Sequence, residues 1–239
     1  GIAGPRPIPH SYGSNLMNAE KSLLLARRFI ELPQDKRGVF LETLAREGID
    51  FSQFPIPAGV QAPDRQGLSY AQQRMWVLWQ MDPQSGAYNL PGAVRLTGQL
   101  DESALEQAFA SLLARHQSLT TVFEVQPDDS LLQVYRPVGE ALIERVDLRQ
   151  WDEAECEAQV RAQAEAESLR PFDLAQGPLL RVRLLRLAEQ EHVLLLTLHH
   201  IVSDGWSMNV LIDEFSRCYD AFAAGHAPQL PDLPIQYVD

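Results

Sequence analysis

The stretch "PLLRVRLLRLAEQEHVLLLTLHH" limits the fold more than any other, because two apolar runs of strand length are separated only by "AEQ". Runs this close read as two strands around a short turn, and the second run ends in two adjacent histidines. Successive side chains along a strand point to opposite faces, so His199 and His200 cannot meet at one spot if the strand runs to its end. Beyond them, "IVSDGWSM" leads through Asp204 and Gly205 into a helical pattern from Ser207 to Phe222. That helix should bury Met208, Leu211, Ile212, Phe215 and Tyr219 and stop at Gly225.

The same periodicities order the rest of the chain. Helical patterns over Asn18 to Leu32 and Gln34 to Glu47, broken at Pro33 and stopped at Gly48, predict a helical hairpin. "FPIPAGVQAPDRQG" lacks polar–apolar rhythm and reads as a linker. Ser69 followed by Gln72 has the spacing of a capping box, which predicts a helix from Tyr70 to Gln80. "GAVRLTGQL" alternates like a strand, and Asp101 caps a helix whose inner face carries Leu105, Ala108, Phe109, Leu112 and Leu113. "LTTVFEV" and "SLLQVYRP" around "QPDD" predict a hairpin, and the Ala/Glu-rich span from Asp152 to Leu169 predicts a solvated helix. Interleaved helices and hairpin-like strands fit a mixed α+β sandwich better than a doubly wound sheet.

Charge and composition exclude several functions. With 239 residues, 45% of them hydrophobic, the chain has material for a sizeable core. A formal charge of -12 argues against nucleic acid, and no run of Lys or Arg suggests an anionic membrane surface. No secretory signal or apolar span of about 18 residues occurs. Two cysteines, Cys156 and Cys218, both in helical patterns, fit a reducing cytoplasm and neither a disulfide framework nor a thiolate metal site. Residues 1–16, rich in Gly, Pro and Ser, read as vector-derived, with Met17 as the native start, so His10 carries no functional weight.

Three readings of the histidine pair follow from the residues alone. A metal site is disfavoured by the opposed faces and the lack of convergent third and fourth ligands. In a purely structural reading the imidazoles hydrogen-bond within the core and Asp204 caps the following helix. In a catalytic reading one imidazole sits at the mouth of a strand–turn–helix, where Gly205 permits close approach and helix N–H groups add positive potential. A neutral imidazole there suits work on a proton or a developing charge near pH 7.

"LHHIVSDGWS" resembles the HHxxxDG signature of the condensation domains of nonribosomal peptide synthetases. "LSYAQQRMWVL" and "RHQSLTTVF" resemble that family's first and second motifs, and "YNLP" and "PFDLAQGPLL" its intervening landmarks, in the same order. The signature alone would not separate this family from chloramphenicol acetyltransferase and other CoA-dependent acyltransferases. One departure is Thr120, which stands where the second motif usually has an arginine, so that arginine's role is not carried over.

The resemblance covers residues 68–239 and implies a chloramphenicol-acetyltransferase-like two-layer sandwich. Only its N-terminal lobe is expected, with "LPDLPIQYVD" similar to the start of the fourth motif and the C-terminal lobe missing. The expected division is thus residues 1–16, a helical hairpin over 17–57, a linker over 58–67 and the lobe from 68 onward. In the family, an aminoacyl amine on one carrier attacks an acyl or peptidyl thioester on another. His200 then accepts the proton, positions the amine or stabilises the charged intermediate, while His199, Asp204, Gly205 and Arg115 are structural. Arg115 is the local candidate to pair with Asp204, against the alternative of an ordinary solvated residue at a helix end.

No bound cofactor is implied, since phosphopantetheine arrives on the carriers. The implied partners are an upstream donor carrier on a separate chain, a downstream acceptor carrier domain and the missing lobe. "HHIVSDGWSM" is more similar to the subtype that takes L-configured donors. With one tunnel wall absent, the lobe alone is not expected to catalyse. Two other classes stay open: a CoA-dependent acyltransferase using the same histidine, and a noncatalytic lobe that docks a carrier.

Overall fold

A computed structural model describes residues 19–57, 65–136, 143–203 and 205–233. The chain divides into two compact units, one ending at Ala58 and one beginning at Gly59. In the first, helices α1 (Ala19–Glu31) and α2 (Gln34–Arg46) form the expected hairpin. Its ring cluster joins Phe29 to Phe40 and Phe51, with Phe54 4.7 Å beyond Phe51. Arg37 lies 5.5 Å over the Phe29 ring and donates to the carbonyls of Ile30 and Leu32, which the end of α1 leaves without helical partners.

The second unit opens with β1 (Arg65–Gly67) and α3 (Tyr70–Met81), followed by β2 (Asn89–Thr97) and α4 (Glu102–Arg115). Then come β3 (Thr121–Val125), β4 (Leu131–Tyr135), β5 (Ile143–Asp147) and α5 (Glu153–Leu169). The unit closes with β6 (Leu180–Ala188), β7 (Glu191–His199) and α6 (Gly205–Ala223). One sheet has the order β1-β4-β3 and is antiparallel throughout. The other has the order β2-β7-β6-β5, with β5 parallel to β6 and α5 supplying the crossover such a pair needs.

Both faces of the larger sheet are covered. Even-numbered Leu180, Leu184, Leu194, Leu196 and Leu198 pack with α4 and α6. Odd-numbered Leu185, Val193 and Leu195 pack with Cys156, Val160 and Ala164 of α5. Eight consecutive residues of β7 are therefore buried, which is why "HVLLLTLH" shows little polar alternation. A third cluster joins Trp76 of α3 to Phe123, Phe172, Leu174, Leu179, Ile201 and Val202.

The mixed α+β class stands, with five local differences from the sequence reading. The last three residues of the expected linker form β1, because their backbone pairs with β4 whatever their side chains. β5 has no counterpart among the expected strands: "IERVD" buries only one of its five residues, leaving no alternation to detect. β2 begins earlier, at Asn89, and α6 begins at Gly205, two residues before the predicted start. Finally, α5 is not merely solvated, since it buries Cys156 and Glu167.

Candidate active site

β7 ends at His199, and the chain turns at once toward α6. His199 is 3% exposed, whereas His200 is exposed. Both faces of β7 are covered, so it is the end of the strand that separates the two: His199 is its last buried residue and His200 the first of the turn. His199 Nδ1 accepts from the Ile201 N–H at 3.1 Å, which fixes the ring as a local backbone acceptor. The Phe172 ring meets it edge-on, with centroids 5.8 Å apart and planes at 82°. Burial, reinforced by the charges of His200 and Arg181, pushes the His199 pKa down to about 4. A neutral ring is what the Ile201 contact requires, because protonation would set two N–H groups against each other.

The turn is held by its own backbone and its neighbours. The His200 N–H donates to the Tyr88 carbonyl at 2.9 Å, and Asn89 is the strand partner of His199. "YNLP" thus lies directly against the two histidines. The His199 carbonyl accepts from the Val202 N–H at 3.2 Å and the Ser203 hydroxyl at 2.8 Å. Asn89 also donates to the Ser168 and Arg170 carbonyls, tying the end of α5 to the same place.

"PFDLAQGPLL" packs from the other side. Phe172 receives His199 on its edge and the Arg181 guanidinium on its face at 3.8 Å, and its carbonyl accepts from Trp79 Nε1 at 2.9 Å. Arg181 donates to the carbonyls of Pro171 and Arg170 and contacts the buried Glu167 at 2.5 Å. Burial pulls the Arg181 guanidinium below its ordinary pKa, with Glu167 acting against that shift. The quoted motifs, far apart in sequence, converge on one turn.

Arg115 meets Glu214 of α6 at 3.2 Å and donates to the Pro231 carbonyl at 2.6 Å. His116 Nε2 lies 2.5 Å from the other oxygen of Glu214. Arg115 is therefore partly buried rather than an ordinary solvated helix end, and it joins α4, α6 and the segment after α6. The expected partner Asp204 lies outside the described residues, and Gly205 is the first residue of α6. Thr120, at the motif's departure, is 3% exposed and donates to the Gln117 carbonyl. Among the described residues no group of three or more His, Cys, Asp or Glu could hold a metal, and no helix is long and apolar enough to cross a membrane.

Gln72 enters this site although its sequence signal spoke only of a helix start. The capping box forms as predicted, with Ser69 Oγ accepting from the Gln72 N–H and Gln72 Oε1 accepting from the Ser69 N–H. The Gln72 amide, 3% exposed, also donates to Gln133 Oε1 at 3.3 Å and to the Ile201 carbonyl at 3.5 Å. Gln133 passes the contact on, donating to the Gly67 carbonyl at 2.9 Å.

Comparison with known proteins agrees with the geometry. Residues 63–239 match the family described as Condensation domain. One chain of the linear gramicidin synthase of Brevibacillus parabrevis is 49% identical over 185 residues, 77% of this chain and 2% of that protein. Phosphinothricin tripeptide synthetase PhsB of Streptomyces viridochromogenes is 38% identical over 189 residues, 77% of this chain and 15% of that protein. The chain therefore spans a small part of the length of these relatives. The starter condensation domain of rhizomide synthetase superimposes with a TM-score of 0.65 at 24% identity, over 72% of this chain and 41% of that one. The first condensation domain of the calcium-dependent antibiotic synthetase, solved with a substrate analogue, gives a TM-score of 0.61 at 25% identity, over 71% and 41%.

Proposed function

The chain belongs to the condensation-domain family of nonribosomal peptide synthetases, and we propose that it supplies the histidine-bearing lobe of a domain that forms peptide bonds between carrier-bound thioesters. The observation that carries this reading is the opposite burial of His199 and His200, which leaves one imidazole able to meet a substrate. In the reaction, the acceptor amine attacks the thioester carbonyl, a C–N bond forms, the C–S bond breaks and the donor carrier leaves as a thiol. The proton lost by the amine passes through His200 or to the departing sulfur. An α-amino group titrates near pH 8, so part of it is already neutral at pH 7 and positioning or charge stabilisation by His200 can contribute as much as base strength.

The surrounding residues work through His200. His199 anchors the turn from beneath, Phe172 and Arg181 seat His199, and Arg115 secures α6 against α4. Both phosphopantetheine arms belong to the substrates, carried by an upstream donor and a downstream acceptor. The second lobe of such a domain supplies the facing wall.

The decisive experiment measures peptide formation by the complete domain with both carriers loaded. His200→Ala should cost between about 10² and 10⁴-fold, the usual span for a general acid–base group. Activity within threefold of the parent would refute the catalytic role and leave a noncatalytic docking lobe. Equal turnover of a free CoA thioester in place of the donor carrier would instead identify a CoA-dependent acyltransferase.

A further inference from the structure

Capping α3 requires only the oxygen of the Gln72 amide, and that oxygen is taken by the Ser69 N–H at 3.0 Å. In an ordinary capping box the remaining NH₂ faces water. Here it is buried and turned inward, dividing its two hydrogens between Gln133 Oε1 and the carbonyl of Ile201, the residue after His200. An apolar side chain of equal size would fill the space without having to satisfy a buried amide. What distinguishes the amide is what it holds.

His200 sits between two fixed points. On one side is the last pair of the β2–β7 ladder, Asn89 with His199. On the other is Ile201, whose side chain is 1% exposed, whose N–H is held by His199 Nδ1 and whose carbonyl is held by Gln72. We propose that Gln72 is a positioning residue: its amide locks the downstream half of the turn to the N-terminus of α3 and, through Gln133, to β4, and so sets where the His200 imidazole stands. This rests on the reading of His200 given above. Misplacing a reacting group by about 1 Å can cost 10²-fold, so a bond of modest strength at this point has a large kinetic effect.

The test uses the complete domain with both loaded carriers and compares Gln72→Met, Gln72→Glu and Ser69→Ala, with His200→Ala as reference. Gln72→Met should lower kcat by about tenfold or more while the KM for loaded acceptor carrier stays within about twofold. Ser69→Ala removes the hydroxyl cap but leaves the Gln72–Ile201 contact, so it should lower the melting temperature without comparable loss of kcat. Gln72→Glu adds a readout that a merely structural role would not move. Its buried carboxyl should titrate above the ordinary range and regain a donor when protonated. The ratio of its kcat to that of the parent should therefore rise as pH falls, with the titration of His200 and the amine cancelling in the ratio.

Parent-like kcat in folded Gln72→Met, or an equal loss in Ser69→Ala, overturns the proposal. If Gln72→Met does not fold, the pH ratio of Gln72→Glu decides: a rise supports the lock and a flat ratio refutes it. Should His200→Ala itself keep full activity, it is the catalytic reading that fails, which separates the two outcomes.

Discussion

The Ile201 N–H donates to Nδ1 of His199 across 3.1 Å, so a histidine one residue from the exposed His200 serves as a backbone acceptor inside the core. This bond exists only while His199 is neutral. Its folded pKa of about 4 lies below the 6.5 of an unperturbed histidine, so between those values the unfolded chain binds more protons than the folded one. The contribution is complete above pH 6.5 and is lost as pH falls toward 4, for a total on the order of 3 kcal/mol. Unfolding free energies of the parent and His199→Asn, measured from pH 7.5 to 4.5, check this. The parent should lose its advantage on acidification, and parallel curves would show that His199 does not carry it.

The two adjacent histidines should respond differently to truncation. His200→Ala removes an exposed ring and should leave unfolding free energy within about 0.5 kcal/mol of the parent. His199→Ala leaves a cavity against Phe172 and an Ile201 N–H without its acceptor, for a loss of about 2–4 kcal/mol. Thermal denaturation of both variants decides; equal stability would contradict the burial assigned here.

The buried Glu167 meets the partly buried Arg181 at 2.5 Å, with Arg170 and Arg183 each 3.4 Å from its other oxygen. Glu167→Leu leaves the Arg181 charge without its carboxylate and should cost about 3–5 kcal/mol, while Glu167→Leu with Arg181→Met should recover most of that loss. A double variant no better than the single one would mean that the cost lies in packing.

Gly86 and Gly92 separate two kinds of close approach. A Cβ at Gly86 would lie 2.7 Å from the Leu169 carbonyl oxygen, which is backbone and cannot turn aside. At Gly92 the nearest atom, also at 2.7 Å, is Met208 Sδ, part of a flexible side chain. Gly86→Ala should therefore cost about 1–3 kcal/mol and Gly92→Ala less, as read from chemical denaturation. The reverse ranking would refute the argument.

The legible features were local ones. Ser69 with Gln72, and Asp101 with the Ala104 N–H, cap helices through contacts within three residues, so their spacing alone announces them. That His199 and His200 would not share one environment was equally readable, but which of them is buried was not, since both faces of β7 are covered. Less accessible was whatever depends on chain closure. The Gln72 amide reaches partners 61 and 129 residues away, and Arg115 finds Glu214 across 99. No spacing rule connects such positions. β5 stayed hidden because, of its five residues, only Ile143 is buried, and its parallel partner β6 follows only after α5.

The β2–β7 ladder pairs Asn89 with His199 and runs without a break to Thr97 and Glu191. Both histidines carry the same ring, so what separates anchor from reactive group is place: His199 is the last residue of β7 and His200 the first beyond it. Deleting one residue within β7, with the ladder re-formed beyond it, would move His200 into the buried place and Ile201 into the exposed one while leaving the fold class intact. For this turn, a frame error measured in ångströms of strand translation amounts to a change of chemical identity at the reacting centre.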